Sequence, residues 1–132
     1  MSGENNIIFD TSALIEFFLG SKSGEEVKDL FIDENTSNFI PALVMAELTS
    51  KLMRAGKNPE KFTNVLEQNS TILDLDLSTA KKAGELHSIL KKKNNEISLA
   101  DCVIMMHGKN ENGMIVTKDS HFKHYEKAKI LE

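Results

Sequence analysis

The chain has 132 residues, 40% hydrophobic and 27% charged, a composition that fits an ordinary globular domain and excludes disorder; its one cysteine excludes an internal disulfide. The 16 Lys and Arg against 20 Asp and Glu give a net charge of −4, which argues against a protein that holds nucleic acid by bulk positive charge. With no cationic leader and no apolar run near the ~18 residues of a membrane helix, the expectation is one cytoplasmic domain over residues 1–132 with no membrane contact.

Ile7-Ile8-Phe9 predicts a short buried strand. It ends at the polar turn Asp10-Thr11-Ser12, where Ser12 is expected to cap a helix carrying Leu14, Ile15, Phe17 and Phe18. A second helix is expected from Gly24 to Asp33, then a strand over Ser37–Ile40. Pro41 starts a helix whose apolar positions Leu43, Val44, Leu48 and Leu52 keep helical spacing until Gly56, and Asn58-Pro59 opens another. Thr71–Leu75 alternates as a strand does, and Ser78 is expected to cap a helix with Ala80, Ala83, Leu86 and Leu90 on one stripe. Ser98 begins a helix to about Gly108, Met114-Ile115-Val116 predicts a buried strand, and Ala128–Leu131 a last edge strand.

Strands alternating with longer amphipathic helices predict the α/β class: a three-layer α/β/α domain around a central, mostly parallel sheet of four to five strands. Ligands in such sheets gather at the carboxyl ends of the strands, near the point where strand order reverses. Asp10 and Asp119 each follow a predicted strand, so both reach that edge if the two strands are neighbours.

No GxGxxG, GxxxxGK[ST], HExxH, CxxC or GxSxG is present, which leaves nucleotide enzymes, zincins, zinc ribbons and common serine hydrolases without a motif. What remains is carboxylates. Asp10, Glu47, Asp101 and Asp119 stand at strand ends or on helix positions flanked by apolar residues, and acids converging on one point repel unless a hard cation binds them. Oxygen ligands select Mg²⁺ or Mn²⁺.

Each acid also has a purely structural role open to it. Asp10 suits a turn, Glu47 an i,i+4 pair with Lys51, Asp101 a capping box with Ser98, and Asp119 the cap of a short helix carrying Phe122. Cys102 is expected in the core, and His121 and His124 as a solvated pair on a short helix, with an approach of His121 to a phosphate near Asp119 as the alternative. Lys81, Lys82, Lys91, Lys92 and Lys93 form either a solvated face or a basic stripe suited to a phosphate backbone.

Four segments together carry a resemblance: Asp10-Thr11-Ser12-Ala13-Leu14, Pro41-Ala42-Leu43-Val44-Met45-Ala46-Glu47-Leu48, Ser98-Leu99-Ala100-Asp101, and Ile115-Val116-Thr117-Lys118-Asp119-Ser120-His121-Phe122. Their content and order resemble the four motifs of PIN-domain nucleases, in particular the compact VapC-type toxins of toxin–antitoxin pairs. The helix after Asp101 departs from the family habit of small residues, carrying Cys102, Met105, Met106 and His107. The resemblance implies a Mg²⁺- or Mn²⁺-dependent endoribonuclease with an RNA substrate and a cognate antitoxin. It implies Asp10 and Asp101 as direct metal ligands, Asp119 as a ligand directly or through water, and Glu47 as a ligand or an orienter of the attacking water. Ser12 and Thr117 hydrogen-bond the carboxylates or a substrate phosphate, or else cap their helices. The resemblance also implies a homodimer, with Phe17, Phe18, Phe31 and Met53 as candidate surface. Two alternatives stay open: a PIN nuclease of RNA processing or decay with no antitoxin, and a non-catalytic RNA- or protein-binding module.

Overall fold

The computed structural model describes residues 5–93 and 96–132. In chain order it contains β1 (Asn6–Phe9), α1 (Thr11–Leu19), α2 (Lys22–Ile32), β2 (Ser37–Pro41), α3 (Ala42–Arg54), α4 (Glu60–Gln68), β3 (Thr71–Leu73), α5 (Leu77–Lys91), α6 (Leu99–Glu111), β4 (Met114–Thr117), a 3-10 helix (Ser120–His124) and β5 (Ala128–Ile130). The five strands form one sheet in the order β3-β2-β1-β4-β5. All four pairings are parallel, including Ile8 with Phe39 and with Ile115 on its two sides.

The chain moves from β1 through β2 to β3 on one side, then returns past β1 to β4 and β5. Right-handed crossovers therefore place α1–α4 on one face and α5–α6 on the other. The packing agrees, with α1 against α2 and α3, and α5 against α6. The central strands are the most buried: Ile8, Phe9, Ile115 and Val116 are wholly shielded from solvent, as doubly covered parallel strands require.

Several element ends differ from the sequence expectation, and side-chain caps explain most of them. Asp10, not Ser12, caps α1, its carboxylate accepting from the Ala13 amide at 3.0 Å. Asp76, not Ser78, caps α5 through the Thr79 amide, which leaves β3 only three residues long. Ser21 caps α2 and starts it two residues before Gly24. The last helix, α6, runs on to Glu111, where Asn112 adopts the left-handed conformation at φ 50°.

One face of the fold is held by aromatic packing. Phe9 stacks on Phe31 with ring centroids 4.5 Å apart, and Phe17 and Phe18 meet the edge of Phe62 at 5.4 and 5.2 Å. Phe17, Phe18 and Phe31 are therefore engaged within the chain, and of the four residues considered for a dimer surface only Met53 is exposed. Among the described residues no helix is long and apolar enough to cross a membrane.

Candidate metal centre

Strand order reverses between β1 and β4, and the crevice at their carboxyl ends collects the acidic side chains. Asp10 leaves β1 directly. The residues after β4 turn back over it, because the Thr117 hydroxyl accepts from the Asp119 amide at 2.9 Å and Asp119 accepts from the His121 amide at 2.8 Å as cap of the 3-10 helix. Glu47 is delivered from the second turn of α3, and Asp101 from the first turn of α6. Asp10, Glu47, Asp101 and Asp119 line one hollow of ≈ 130 Å³, together with Thr11, Ser12, Lys51 and Ile104.

Asp10 is 4% exposed and fully engaged. One of its oxygens accepts from the Ser12 hydroxyl at 2.8 Å and the Ala13 amide at 3.0 Å; the other accepts from the Thr117 hydroxyl at 2.6 Å. Burial pushes its carboxyl above the ordinary 3.8, against those three hydrogen bonds, and the neighbouring Asp119 charge pushes the same way. Among the described residues no lysine or arginine forms an ion pair with any of the four acids. A buried carboxylate with an acidic neighbour and no cationic side-chain partner is the electrostatic setting that a divalent ion would complete.

Ser12 and Thr117 both bond a carboxylate, one of the roles expected of them. Their hydroxyls lie 3.2 Å apart, both donate to Asp10, and Ser12 accepts from the Lys118 amide at 2.8 Å, so the pair binds the end of β1 to the residue after β4. Glu47 does not pair with Lys51; it accepts from the Thr11 hydroxyl at 2.7 Å, which fixes it toward α1. Two of the structural readings hold without removing the acid from the hollow. Asp101 completes a capping box with Ser98, and Asp119 caps the 3-10 helix. Cys102 is buried in the core.

Two groups, Thr11 and Lys51, carried no site role in the sequence, and a third, His121, was placed near Asp119 only as an alternative. Thr11 sits in the first polar turn, yet its bond to Glu47 depends on how α1 meets α3. Lys51 was paired with Glu47 by helical spacing alone. His121 is not half of a solvated pair: its Nδ1 lies 3.3 Å from Asp119 Oδ1 and 3.7 Å from Asp101 Oδ2. Single donor atoms of Asp101, Asp119 and His121 lie within 4.8 Å of one another, close enough to share one ion. The basic stripe also divides. Asn110 near the end of α6 bonds Thr79 near the start of α5, so the two helices run antiparallel; Lys91 to Lys93 lie toward the acidic end of α6 and Lys81 and Lys82 toward the other.

No curated protein matches the chain in sequence. Solved structures similar in fold include VapBC2 from Rickettsia felis bound to a DNA fragment from their promoter, at TM-score 0.76 and 20% identity, covering 96% of this chain and 99% of that one. A toxin–antitoxin complex from Klebsiella pneumoniae matches at TM-score 0.75 and 17% identity over 93% of this chain and 95% of that one. The Mycobacterium tuberculosis VapC20, described as a sarcin-ricin-loop-cleaving toxin, matches at TM-score 0.73 and 14% identity over 96% and 99%. The model of the PIN domain matches residues 7–128, from the middle of β1 to the start of β5, and the chain belongs to the PIN domain family.

Proposed function

We propose that the protein is a Mg²⁺- or Mn²⁺-dependent endoribonuclease of the VapC type, neutralised by an antitoxin. The observation that carries the proposal is the convergence of Asp10, Glu47, Asp101 and Asp119 on one hollow at the switch point of a PIN sheet. A cap or a surface ion pair needs no such convergence. The toxin assignment and the antitoxin rest on the similar structures, which include toxin–antitoxin complexes.

Asp10 and Asp101 are the proposed direct ligands, Asp119 a ligand directly or through water, and Glu47 a ligand or the orienter of the attacking water. Bound by these carboxylates, a divalent ion would supply Lewis-acid polarisation of the scissile phosphate, a lowered pKa for water and an offset to charge on the leaving oxygen. The chain's own contribution is orientation. Thr117 and Ser12 hold the Asp10 carboxylate in one rotamer, Thr11 aims Glu47, and the Ser98 cap fixes Asp101. Lys51 lines the same hollow, and with Ser50 and Arg54 it borders an adjoining groove along α3, a place for substrate phosphates beyond the cut. The net charge of −4 is compatible with an RNA substrate on these terms, since the acids outside the hollow equal the Lys and Arg in number.

The test is RNA cleavage in Mg²⁺ or Mn²⁺ with a chelator control, comparing wild type with Asp10→Asn and Asp101→Asn. Loss of cleavage by about 100-fold or more in both folded variants is expected. Equal cutting by wild type and variants would overturn the site assignment. A neighbouring gene for a small DNA-binding partner that co-purifies with this chain separates the toxin from a processing nuclease.

A further inference from the structure

Resting on the proposal that the hollow holds a divalent ion, we infer that His121 is a nitrogen ligand of that ion and biases the site toward Mn²⁺ over Mg²⁺. Neither the acidic motifs nor the convergence of the four carboxylates calls for a histidine here.

The geometry is that of a partial coordination shell. Around a six-coordinate ion with ligands at about 2.1 Å, adjacent donors lie about 3 Å apart and opposite donors about 4.2 Å. His121 Nδ1 lies 3.3 Å from Asp119 Oδ1 and 3.7 Å from Asp101 Oδ2, and one donor from each of the three residues falls within 4.8 Å of the others. Small side-chain adjustments bring all three onto one ion.

The backbone sets this approach. Asp119 caps the 3-10 helix by accepting the His121 amide at 2.8 Å, while the wholly buried Phe122 anchors the same turn in the core. The imidazole is thus held between its capping carboxylate and the first turn of α6. Its side chain remains 31% accessible, open to an ion arriving from solvent.

The choice of ion follows from donor chemistry. Mg²⁺ takes oxygen ligands in a tight octahedron and keeps its waters; Mn²⁺ shares the preference for oxygen but, as a transition ion at the weak end of its series, accepts an imidazole nitrogen more readily than Mg²⁺ does. Replacing one oxygen or water by Nδ1 therefore favours Mn²⁺ relative to Mg²⁺. Two competing roles predict other results: His121 as a contact for an RNA phosphate, or only as a prop for Asp119.

The experiment uses the full chain stripped of metal. Mn²⁺ is titrated into wild type, His121→Gln and His121→Ala, with the free-ion electron paramagnetic resonance signal as readout; Mg²⁺ is measured by competition. Circular dichroism verifies folding of both variants. Wild type is expected to bind Mn²⁺ more tightly than Mg²⁺ and to show a nitrogen coupling in the pulsed spectrum of the Mn²⁺ form. Both variants are expected to lose that coupling and about 10-fold or more of Mn²⁺ affinity, with Mg²⁺ affinity changed less than about 3-fold. Absence of nitrogen coupling in wild type, or equal weakening of both ions in the variants, overturns the inference while leaving the nuclease proposal standing. Unchanged Mn²⁺ binding with a raised KM for RNA overturns it in favour of a phosphate contact. Uptake of neither ion by wild type defeats the metal proposal itself, and this inference with it.

Discussion

The Thr117 hydroxyl donates to Asp10 across 2.6 Å and joins the ends of β1 and β4, two strands brought side by side from opposite ends of the chain. The same oxygen accepts the Asp119 amide, so one buried threonine orients two of the acids. Thr117→Val keeps the shape and removes both hydrogen bonds. Its expected effects are a loss of about 1–3 kcal/mol in chemical denaturation and a 10- to 100-fold weaker divalent-ion affinity by titration. Unaltered ion affinity in a folded variant would show that Asp10 needs no such support.

The buried carboxyl of Asp10 predicts a pH dependence of known sign. Its folded pKa lies above the ordinary 3.8, so the native state holds the proton more tightly than the unfolded chain. The stability this contributes is complete below the unfolded value and is lost as pH rises through the folded one. Asp10→Asn, which stays neutral, should therefore melt at or above wild type near neutral pH in chelator, and the difference should shrink toward the carboxylate range. A variant that melts lower than wild type at neutral pH, by calorimetry, contradicts the reading of an unrelieved buried charge.

Caps behave oppositely. The Ser98 hydroxyl accepts the Asp101 amide at 3.0 Å, and the Asp101 carboxylate accepts the Ser98 amide at 3.2 Å. Ser98→Ala is expected to cost about 0.5–2 kcal/mol in urea denaturation of the metal-free protein and more in the metal-loaded protein, because the same cap holds Asp101 toward the ion. An equal cost with and without metal would show that the cap serves the helix alone.

Lys51 offers a test of the groove along α3. Lys51→Ala should leave thermal stability within about 0.5 kcal/mol of wild type, since the side chain is exposed and unpaired among the described residues. It should also weaken RNA binding and lower the dependence of log affinity on log salt by about 1, measured by filter binding with Asp101→Asn as background. An unchanged salt slope removes Lys51 from the substrate path.

Gly24 lies directly against the backbone of α1. A Cβ there would collide with the carbonyl of Glu16, which belongs to the rigid backbone of α1 and has little room to shift. Gly24→Ala should destabilise by about 1–3 kcal/mol or more in spite of alanine's better helix propensity. A stabilised variant, by the same urea melt, would show that the two helices separate easily.

Much of this protein was determined by the sequence alone. Ile7-Ile8-Phe9 and Met114-Ile115-Val116 are short apolar runs of the length a doubly covered strand buries, bounded by turns that carry Asp10 and Asp119, so the class and the acidic edge were legible in local pattern. Short-range caps were legible for the same reason: Ser98 and Asp101 find each other within one turn of helix. What the tertiary structure decided are the choices that depend on residues far apart in the chain. Glu47 had a nearby lysine at the right helical spacing, yet the Thr11 hydroxyl from α1 claims it. Ser12 was a fair cap by position, but Asp10 takes that role because its buried carboxylate needs the Ala13 amide, which leaves Ser12 to join Asp10 to Lys118. His121 and Asp101 meet only because α6 and the turn after β4 converge at one sheet edge. Periodicity sets which face a side chain occupies; only packing sets which partner it meets there.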